Sequence, residues 1–426
     1  MVKLLVIRVK VRFIFSLLAL LGIPAGAQEF SYGGHVKYQY SETSLPAQSA
    51  LAAFGPQSPY QNDFDARFYL EKREASFSFG IHGEIYATQG SGYQAQQLLG
   101  RSESTFPSLV GTRQNERSLF DFTTEFAEET DGEMIGNVDR FFFSKHWDQL
   151  SVTLGRHALT IGNSLSFPVL DVFNPFNPAA VDKEYKSGTD MITALYGLRG
   201  GDNVSLIFVP RRSLDSGDVE ASQSSLVLKY HNRLDQMLLD FDVLIAYHYD
   251  EPLVGAGFAY EALGAVWRSD SSLQFLQSGG VAISFSAGVD RSWILFGRNF
   301  YGFLEFYGNS LGASGSHYDR LDEDLVERLE RDEVFTLGRS YVSQGLQVEV
   351  TPLYNVFINH FYNLEDQSGL FQVRTPYSIS DDLDLIAGLT TGYGGTGTEF
   401  GGFTLPGQSF TVGGGTTMYL RFQYYY

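Results

Sequence analysis

The stretch 415–426, GTTMYLRFQYYY, decides the fold class. Every second residue is apolar, and this apolar file consists of Met418, Leu420, Phe422, Tyr424 and Tyr426. Successive side chains of a strand point to opposite faces, so one face of this strand is apolar and the other is wet. A final aromatic residue is unusual for a water-soluble domain, because chain ends fray into solvent. The pattern favours a strand in lipid with aromatic side chains at the interface, over an edge strand of a soluble sandwich.

The same alternation recurs along the chain after residue 30. Segment 237–247 has one continuous apolar file, and segments 120–126, 283–289 and 383–389 alternate in the same way. The polar files of these segments carry several acids, namely Asp121, Glu125, Asp240, Asp242 and Asp384. Alternation alone would also fit a soluble sandwich, whose apolar face forms the core. The length of the runs favours a wall with lipid outside and water inside.

The first 27 residues have the pattern of a secretory signal peptide. Four cations precede an apolar core at 13–23, and the small residues Ala25-Gly26-Ala27 follow. We expect cleavage after Ala27 and a mature chain of residues 28–426. No other apolar run is long enough for a membrane-spanning helix. A mature chain that enters a membrane must therefore do so as a closed barrel, which satisfies its backbone groups in lipid.

Composition excludes some classes of protein. The chain has no cysteine, so disulfides and cysteine metal sites are excluded. The formal net charge is −19, and without the four signal-peptide cations 26 Lys and Arg face 49 Asp and Glu, a net charge of −23. This field repels phosphate backbones and argues against nucleic acid as a partner. It suits a cation-favouring lumen, or surface loops that bind divalent cations.

Connections between the predicted strands come in two sizes. Short turns are predicted at 146–149, 199–202, 231–235, 290–292, 352–355 and 380–382. Longer connections fall at 45–63, 90–116, 162–190, 210–223, 308–333 and 393–414. Outer-membrane barrels keep short turns on the periplasmic side and long loops outside. Segment 64–90 fits either one bent strand or a hairpin, and we expect about 16 strands, with 14 to 18 allowed.

One segment departs from the β pattern. Residues 318–335 read YDRLDEDLVERLERDEVF, in which Leu321, Leu325 and Leu329 recur every four residues among interleaved Arg, Asp and Glu. This spacing predicts an amphipathic helix with dense charge pairing. It would lie on an outer loop or in the barrel mouth, and the solvated loop helix is favoured.

The connection 162–190 is the most distinctive internal stretch. The pairs Asn174-Pro175 and Asn177-Pro178 predict rigid turns, and Asp171 can bond the backbone two residues on. Because this stiff loop also carries three phenylalanines, we expect it to fold inward and narrow the lumen. Arg156, at the end of the preceding strand, could pin the loop by a bidentate pair with Asp171 or Asp182. The alternative is an ordinary lumen-facing arginine in solvent.

Two parts of the sequence resemble a known family. Gly155-Arg156, Gly162, the run Asp171-Val172-Phe173-Asn174-Pro175 and Gly188 resemble a group of porin-like outer-membrane barrels from Gram-negative bacteria. In that group a Trp usually precedes the second Gly, where this chain has Ile161. The file from Met418 to Tyr426 resembles the last strand of bacterial outer-membrane barrels, which the barrel-assembly machinery reads. The resemblance implies transport or passive permeation, and names no solute.

Catalytic patterns are fragmentary. Histidines occur at His157, in His248-Tyr249-Asp250 and in His317-Tyr318-Asp319, without metal spacing or a G-x-S-x-G elbow. Neighbours in a strand point to opposite faces, so His248 and Tyr249 cannot share a strand site. An enzyme would need a cluster of Ser, His and Asn or Asp from neighbouring strands.

The sequence therefore predicts an all-β antiparallel transmembrane barrel with one loop helix. The expected function is a porin-like outer-membrane channel for passive uptake of small polar solutes, favouring cations. Alternatives are a structural or adhesive surface barrel with a plugged lumen, a hydrophobic-ligand transporter, and an enzyme. The expected partners are the bilayer and lipopolysaccharide, the assembly machinery and small polar solutes, with no cofactor. Oligomeric state is left open.

Overall fold

The computed structural model describes residues 30–101, 117–180, 184–316, 318–404 and 410–426. The expected signal peptide, residues 1–27, lies outside the described residues, and so do Asp182 and His317.

Eighteen antiparallel strands close into one barrel. The first nine are β1 Phe30–Ser44, β2 Tyr60–Arg73, β3 Phe77–Gln89, β5 Gly132–His146, β6 Leu150–His157, β7 Thr189–Gly197, β8 Asn203–Val209, β9 Ser225–Leu234 and β10 Leu239–His248. The other nine are β11 Glu251–Ala262, β12 Ala265–Phe275, β13 Val281–Leu295, β14 Arg298–Asn309, β15 Ser340–Thr351, β16 Tyr354–Asn363, β17 Gly369–Ser380, β18 Leu383–Tyr393 and β21 Thr416–Tyr425. Each strand pairs with the next, and β21 pairs with both β18 and β1, which closes the ring.

The remaining elements lie in the connections. Strand β4, Thr123–Glu129, pairs with the first half of β5, on the edge that β6 occupies along its second half. The short strands β19 Phe403–Thr404 and β20 Thr411–Val412 pair with each other. The helices are α1 Ala50–Phe54, α2 Ser91–Arg101, α3 Glu323–Glu330 and a 3-10 turn at Asp235–Met237. In the described ranges, no helix has both the length and the apolarity to cross a membrane.

The barrel has 18 strands, where the sequence analysis centred on about 16. The ambiguous segment 64–90 is a hairpin, because the chain reverses at residues 74–76, where the Glu74 N–H bonds the Phe77 carbonyl. The turn expected at 290–292 is wrong. Strand β13 continues to Leu295 and reverses at Phe296-Gly297, whose φ values of 52° and 71° fit a type I′ hairpin.

The helix expected within 318–335 is α3, which is shorter than that segment. Its first turn is capped by Asp322, whose carboxylate accepts the Asp324 N–H at 2.9 Å. Leu325 is fully buried, so the apolar stripe packs against the protein. Helices α1 and α2 were not expected; both lie in long connections that were predicted to be loops.

Strand register separates two faces of the wall. Residues 239, 241, 243, 245 and 247 of β10 share one face, which we call the outer face, with apolar residues of the neighbouring strands. Residues 240, 242, 244, 246 and 248 share the inner face. The outer face is exposed and apolar around the ring, with Ile245 53% and Leu304 50% exposed. A water-soluble protein rarely leaves so large an apolar surface uncovered.

Candidate functional site

The connection between β6 and β7 crosses the interior of the barrel. Asp270 on the inner face of β12 accepts the backbone N–H groups of Asn163 (2.7 Å) and Ser164 (2.8 Å), and also the Ser164 hydroxyl (2.6 Å). Asp270 is 1% exposed, so these donors replace the water that a buried carboxylate would otherwise need. We call Asp270 the first anchor of the loop.

Glu305 on β14 is the second anchor. Its carboxylate accepts three consecutive backbone N–H groups, those of Leu165 (2.6 Å), Ser166 (3.0 Å) and Phe167 (3.0 Å). Hydrogen bonds to a charged acceptor are the strong ones, each contributing about 1.5–3 kcal/mol. Residues 163–167 are therefore held by two carboxylates of the wall.

Apolar packing holds the next part of the loop. Phe167 stacks on Tyr307 with ring centroids 4.5 Å apart, and Leu170 is 1% exposed. The buried cluster combines loop side chains with inner-face side chains of β7–β11 and β14–β16, namely Ile161, Phe167, Val169, Leu170, Phe173, Met191, Ile207, Val209, Val227, Leu244, Leu253, Tyr307, Tyr341 and Phe361. Burial of this area is the main driving force for the loop to lie against this side of the barrel.

The Asn-Pro segment forms hydrogen-bonded turns. The Asn174 side chain donates to the Ser187 carbonyl at 2.6 Å, and the Asn177 side chain accepts the Ala179 N–H at 2.8 Å. Pro175 and Pro178 are buried. Three strands further along the wall from β14, Gln372 on β17 donates to the Ala179 carbonyl at 2.9 Å. The middle of the loop is therefore held along the same side of the barrel, from β12 to β17.

Asp171 pairs with Lys186 within the loop. Lys186 Nζ lies 2.5 Å from Asp171 Oδ2, and both residues are buried. Burial raises the pKa of Asp171 to about 6, against the opposing effect of the Lys186 ammonium. Lys186 is a partner that the sequence pattern did not indicate, although it lies within the same connection 162–190.

Arg156 does not pair with Asp171, and that expectation is wrong. Its guanidinium forms a bidentate pair with Asp190 at 2.9 and 3.0 Å. It also donates to the carbonyls of Phe120 (2.5 Å) and Val138 (3.3 Å). Arg156 is only 1% exposed, so the alternative expectation, an arginine in solvent facing the lumen, is wrong as well. Arg156 joins β6 and β7 to the segment before β4. This is the region where the neighbour of β5 changes from β4 to β6.

The last part of the loop contacts the opposite wall. Glu184 pairs with Lys37 on β1 at 3.1 Å and accepts from Gln423 on β21 at 2.6 Å. The Tyr185 ring lies between two guanidinium groups, 3.5 Å from that of Arg67 and 4.1 Å from that of Arg140. Such cation–π contacts contribute about 0.5–2 kcal/mol each, depending on exposure.

The five acids named from the sequence occupy different settings. Asp242 is buried and balanced by Lys229 (2.8 Å) and His231 (3.0 Å). Asp240 and Asp384 share the inner face by register and are partly exposed. Glu125 on β4 is exposed. Its register neighbour is Ile135 on β5, which in turn stands beside Tyr86 on the inner face, so Glu125 shares that face. Asp121 precedes β4, where its carboxylate accepts the Thr123 N–H.

A Ser-His-Glu constellation occurs at the rim. Ser225 Oγ lies 2.7 Å from His248 Nδ1, and His248 Nε2 lies 3.1 Å from Glu333. A nucleophile needs this order of contacts and also access for a substrate. Ser225 and His248 are 1% and 0% exposed, and Arg211 donates to the Ser225 hydroxyl at 2.6 Å. The arrangement therefore ties the segment after α3 to the wall. Within the described ranges, no group of three or more His, Asp or Glu is placed to hold a metal ion.

The apolar file of the last strand lies on the outer face. By register with β1 and β18, its exposed members share a face with Val36, Leu385 and Leu389. Their exposed fractions run from 40% to 61% in Leu420, Phe422, Tyr424, Tyr426 and Met418. Tyr419, Arg421, Gln423 and Tyr425 alternate with them along the inner side.

These features define a class of fold: a closed antiparallel barrel, apolar outside, with a loop folded across a polar interior. The same fold occurs in solved porin structures. Acinetobacter baumannii OccAB4 superposes with a TM-score of 0.54 at 8% identity, over 95% of this chain and 99% of that chain. Pseudomonas aeruginosa OccK5 (OpdH) and a BenF-like porin from Pseudomonas fluorescens Pf-5 each give 0.52 at 8% identity, over 93% of this chain and 98% of theirs.

Sequence comparisons add no family. No protein-family profile matches the chain, and no curated protein sequence matches it. The likeness to the porins is therefore a likeness of fold.

Proposed function

We propose that this protein is a porin-like channel for passive uptake of small polar solutes across the outer membrane of a Gram-negative bacterium. The observation that carries the proposal is the barrel itself, whose outer face is apolar around the ring while its interior keeps polar cavities beside the loop. Lipid would cover the first surface, and water and solutes would fill the second. The fold shared with solved porins supports the same assignment.

We propose a preference for cations over anions. Support comes from the excess of acids and from the exposed or partly exposed Asp121, Glu125, Asp240 and Asp384, whose fields reach the lumen. Asp242 contributes less, because Lys229 neutralises it locally. Arg156, Asp171 and residues 174–178 would act as structural elements of the constriction, since Arg156 and Asp171 are paired within the protein. Asp182, outside the described residues, is proposed to belong to the same constriction.

The proposed partners follow from the surfaces. The outer face would contact the bilayer and lipopolysaccharide, and the file from Met418 to Tyr426 would serve as the signal for the barrel-assembly machinery. Aromatic side chains at the ends of this strand suit the interfacial girdle of such barrels.

Single-channel recording in planar bilayers tests the proposal. We expect steady conductance from the refolded protein in KCl, and a reversal potential under a salt gradient with the sign of a cation-selective pore. Anion selectivity at low salt would contradict the charge assignment. An absence of conductance, together with no swelling of liposomes in sugars and amino acids, would contradict the channel.

A second candidate is a structural or adhesive surface barrel with a plugged lumen. The observation in its favour is the apolar packing of the loop against β7–β11 and β14–β16, together with the buried pair of Arg328 on α3 and Glu251, which lie 2.5 Å apart. The same packing occupies the apolar interior surface that a hydrophobic-ligand transporter would need. A folded barrel that passes neither ions nor sugars would favour the plugged surface barrel.

A further inference from the structure

The loop packs more closely against one side of the barrel wall than against the other. Toward β12–β14, the loop is held by Asp270, Glu305 and the apolar cluster. A cavity beside Pro168, Val169 and Ser272 has only about 30 Å³. That volume holds about one water molecule, so the loop packs closely against this part of the wall.

The other side of the loop keeps open space. A cavity of about 340 Å³ lies between residues 185–187 and strands β1, β2, β3 and β21. A second cavity, of about 210 Å³, lies beneath the segment after α3. Glu84 and Ser187 line both cavities. The two spaces are therefore adjacent, on one side of the barrel.

Charges of opposite sign line opposite flanks of the larger cavity. Lys37 on β1 and Arg421 on β21 form the basic flank. Asp63 and Asp65 on β2 and Glu84 on β3 form the acidic flank, which also contains Arg67, paired with Glu84 at 3.0 Å. Lys37 and Asp65 are register neighbours on adjacent strands, which lie about 4.8 Å apart, so both charges are within reach of one small molecule.

Some of these groups lack complete pairing. Asp63 Oδ1 accepts only from the neutral donors Gln61, Tyr86 and Thr88, at 2.8 Å each. Two buried atoms, Asp65 Oδ1 and Arg67 Nε, have no hydrogen-bond partner among the described residues. Arg67 is 6% exposed. Unsatisfied buried polar atoms are costly, which indicates that the cavity is a place where water or a polar solute binds.

We propose that solutes pass the loop only between residues 184–188 and the wall of β21 and β1–β3, and that this passage selects small zwitterions such as amino acids. The inference rests on the proposed channel function and assigns its route and substrate class. A zwitterion places its carboxylate against Lys37 and Arg421 and its ammonium against the acidic flank. A singly charged ion is attracted by one flank only, so it gains less in this passage than a zwitterion.

Cysteine chemistry tests the route, because the chain has no native cysteine. Ser187 is exposed in the passage, whereas Ser272 lies behind the loop on β12 and is 7% exposed. In S187C, a bulky charged methanethiosulfonate reagent is expected to lower single-channel conductance at least twofold. In the matched S272C control, the same reagent is expected to leave conductance unchanged.

Alanine and its neutral isomer lactamide test the substrate class. In liposome swelling, we expect alanine to enter at least threefold faster than lactamide, and the ratio to fall toward one in D63N and in R421Q. Equal rates in the unmodified protein would overturn the class. Conductance that survives modification of S187C, or is blocked in S272C, would overturn the route while leaving a channel. A protein that conducts nothing would instead contradict the proposed function.

Discussion

Arg156 illustrates how much one buried residue can hold. Four of its five N–H donors bond the two carboxylate oxygens of Asp190 and two backbone carbonyls. Lysine carries a single point charge and cannot form this fork. We therefore expect Arg156→Ala to lower the free energy of unfolding by about 3–5 kcal/mol, because Asp190 would be left charged and buried. Urea titration of the barrel folded in lipid vesicles measures the loss.

An exposed ion pair provides the control. Arg233 and Asp235 lie 2.8 Å apart, with side chains 62% and 82% exposed. Solvent screens such a pair, so Arg233→Ala is expected to change the free energy of unfolding by less than about 1 kcal/mol. The double variant Arg156→Ala/Asp190→Ala should recover part of the loss. Equal effects of Arg156→Ala and Arg233→Ala would refute the structural role of Arg156.

Glu399 predicts a pH dependence of stability. It is buried in the β18–β21 connection and accepts from the Leu337 N–H (2.9 Å), the Tyr341 hydroxyl (2.5 Å) and the Asn363 amide (2.8 Å). Burial raises the pKa of Glu399 to about 7, from 4.5. Between these values the native state binds more protons than the unfolded state, so the free energy of unfolding falls as pH rises and levels off above about 7. The full effect is roughly 3 kcal/mol.

The variant Glu399→Gln isolates this contribution. It cannot titrate, so the difference in unfolding free energy between the natural protein and the variant should change by up to roughly 3 kcal/mol between pH 4.5 and 8. A part of this difference that is the same at every pH reports only the change in hydrogen bonding caused by the glutamine. A difference that does not vary with pH would show that Glu399 keeps one protonation state throughout.

At the residue scale, the sequence indicates the loop that folds inward but not its ion pairs. Arg156 and Asp171 were both identified, yet each bonds a different partner, Asp190 and Lys186. All four residues flank or belong to the same connection, so spacing alone could not choose among the possible pairings. The choice is made by the register of the fold, in which Arg156 on β6 stands opposite Asp190 on β7.

At the element scale, the loop depends on its two carboxylate anchors. We expect Glu305→Ala to release residues 165–167, because three backbone N–H groups would lose a charged acceptor in a buried site. Trypsin added to the folded barrel should then cleave after Lys186, which is 7% exposed in the natural protein. The rate of cleavage is expected to rise at least tenfold.

Glu349→Gln is the matched control for this loop variant. Glu349 is on the next strand, β15, and its carboxylate accepts from Asn299 near the surface. Removing its charge leaves the loop anchors in place, so cleavage after Lys186 should stay slow. Resistance of Glu305→Ala to trypsin would show that the apolar cluster alone holds the loop.

Sequence patterns predicted the strands better than the contacts of the loop. Strand β10 was recognised with the correct residues on each face, because alternation is a local property of the chain. The anchors join Ser164 to Asp270 and Phe167 to Glu305, residues more than a hundred positions apart. No local pattern marks an inner-face acid as an anchor rather than as part of the lumen. Asp242 shows the same limit, since only the fold brings Lys229 beside it.

At the scale of the whole molecule, a correct prediction of the number of strands depends on recognising a few turns. Alternation continues through residues 64–90 on both sides of the reversal, so the sequence allowed one bent strand there. Closure requires the pairing of β1 with β21, which lie at opposite ends of the chain. The general architecture was therefore predictable from alternation and the aromatic final strand, whereas the count of 18 needed the register.

The outer face provides the last prediction, which separates a membrane barrel from a soluble one. Leu420 lies mid-way along β21, on the outer face and 40% exposed. If acyl chains cover this face, Leu420→Arg buries an unpaired charge in lipid and should lower the free energy of unfolding by about 2–4 kcal/mol. Leu420→Met, which keeps the position apolar, should change it by less than about 1.5 kcal/mol. Both are measured by urea titration in lipid vesicles. If water covered Leu420 instead, the arginine would be tolerated as well as the methionine, and the protein would stay folded and monodisperse without detergent. That outcome would contradict both the membrane location and the channel built on it.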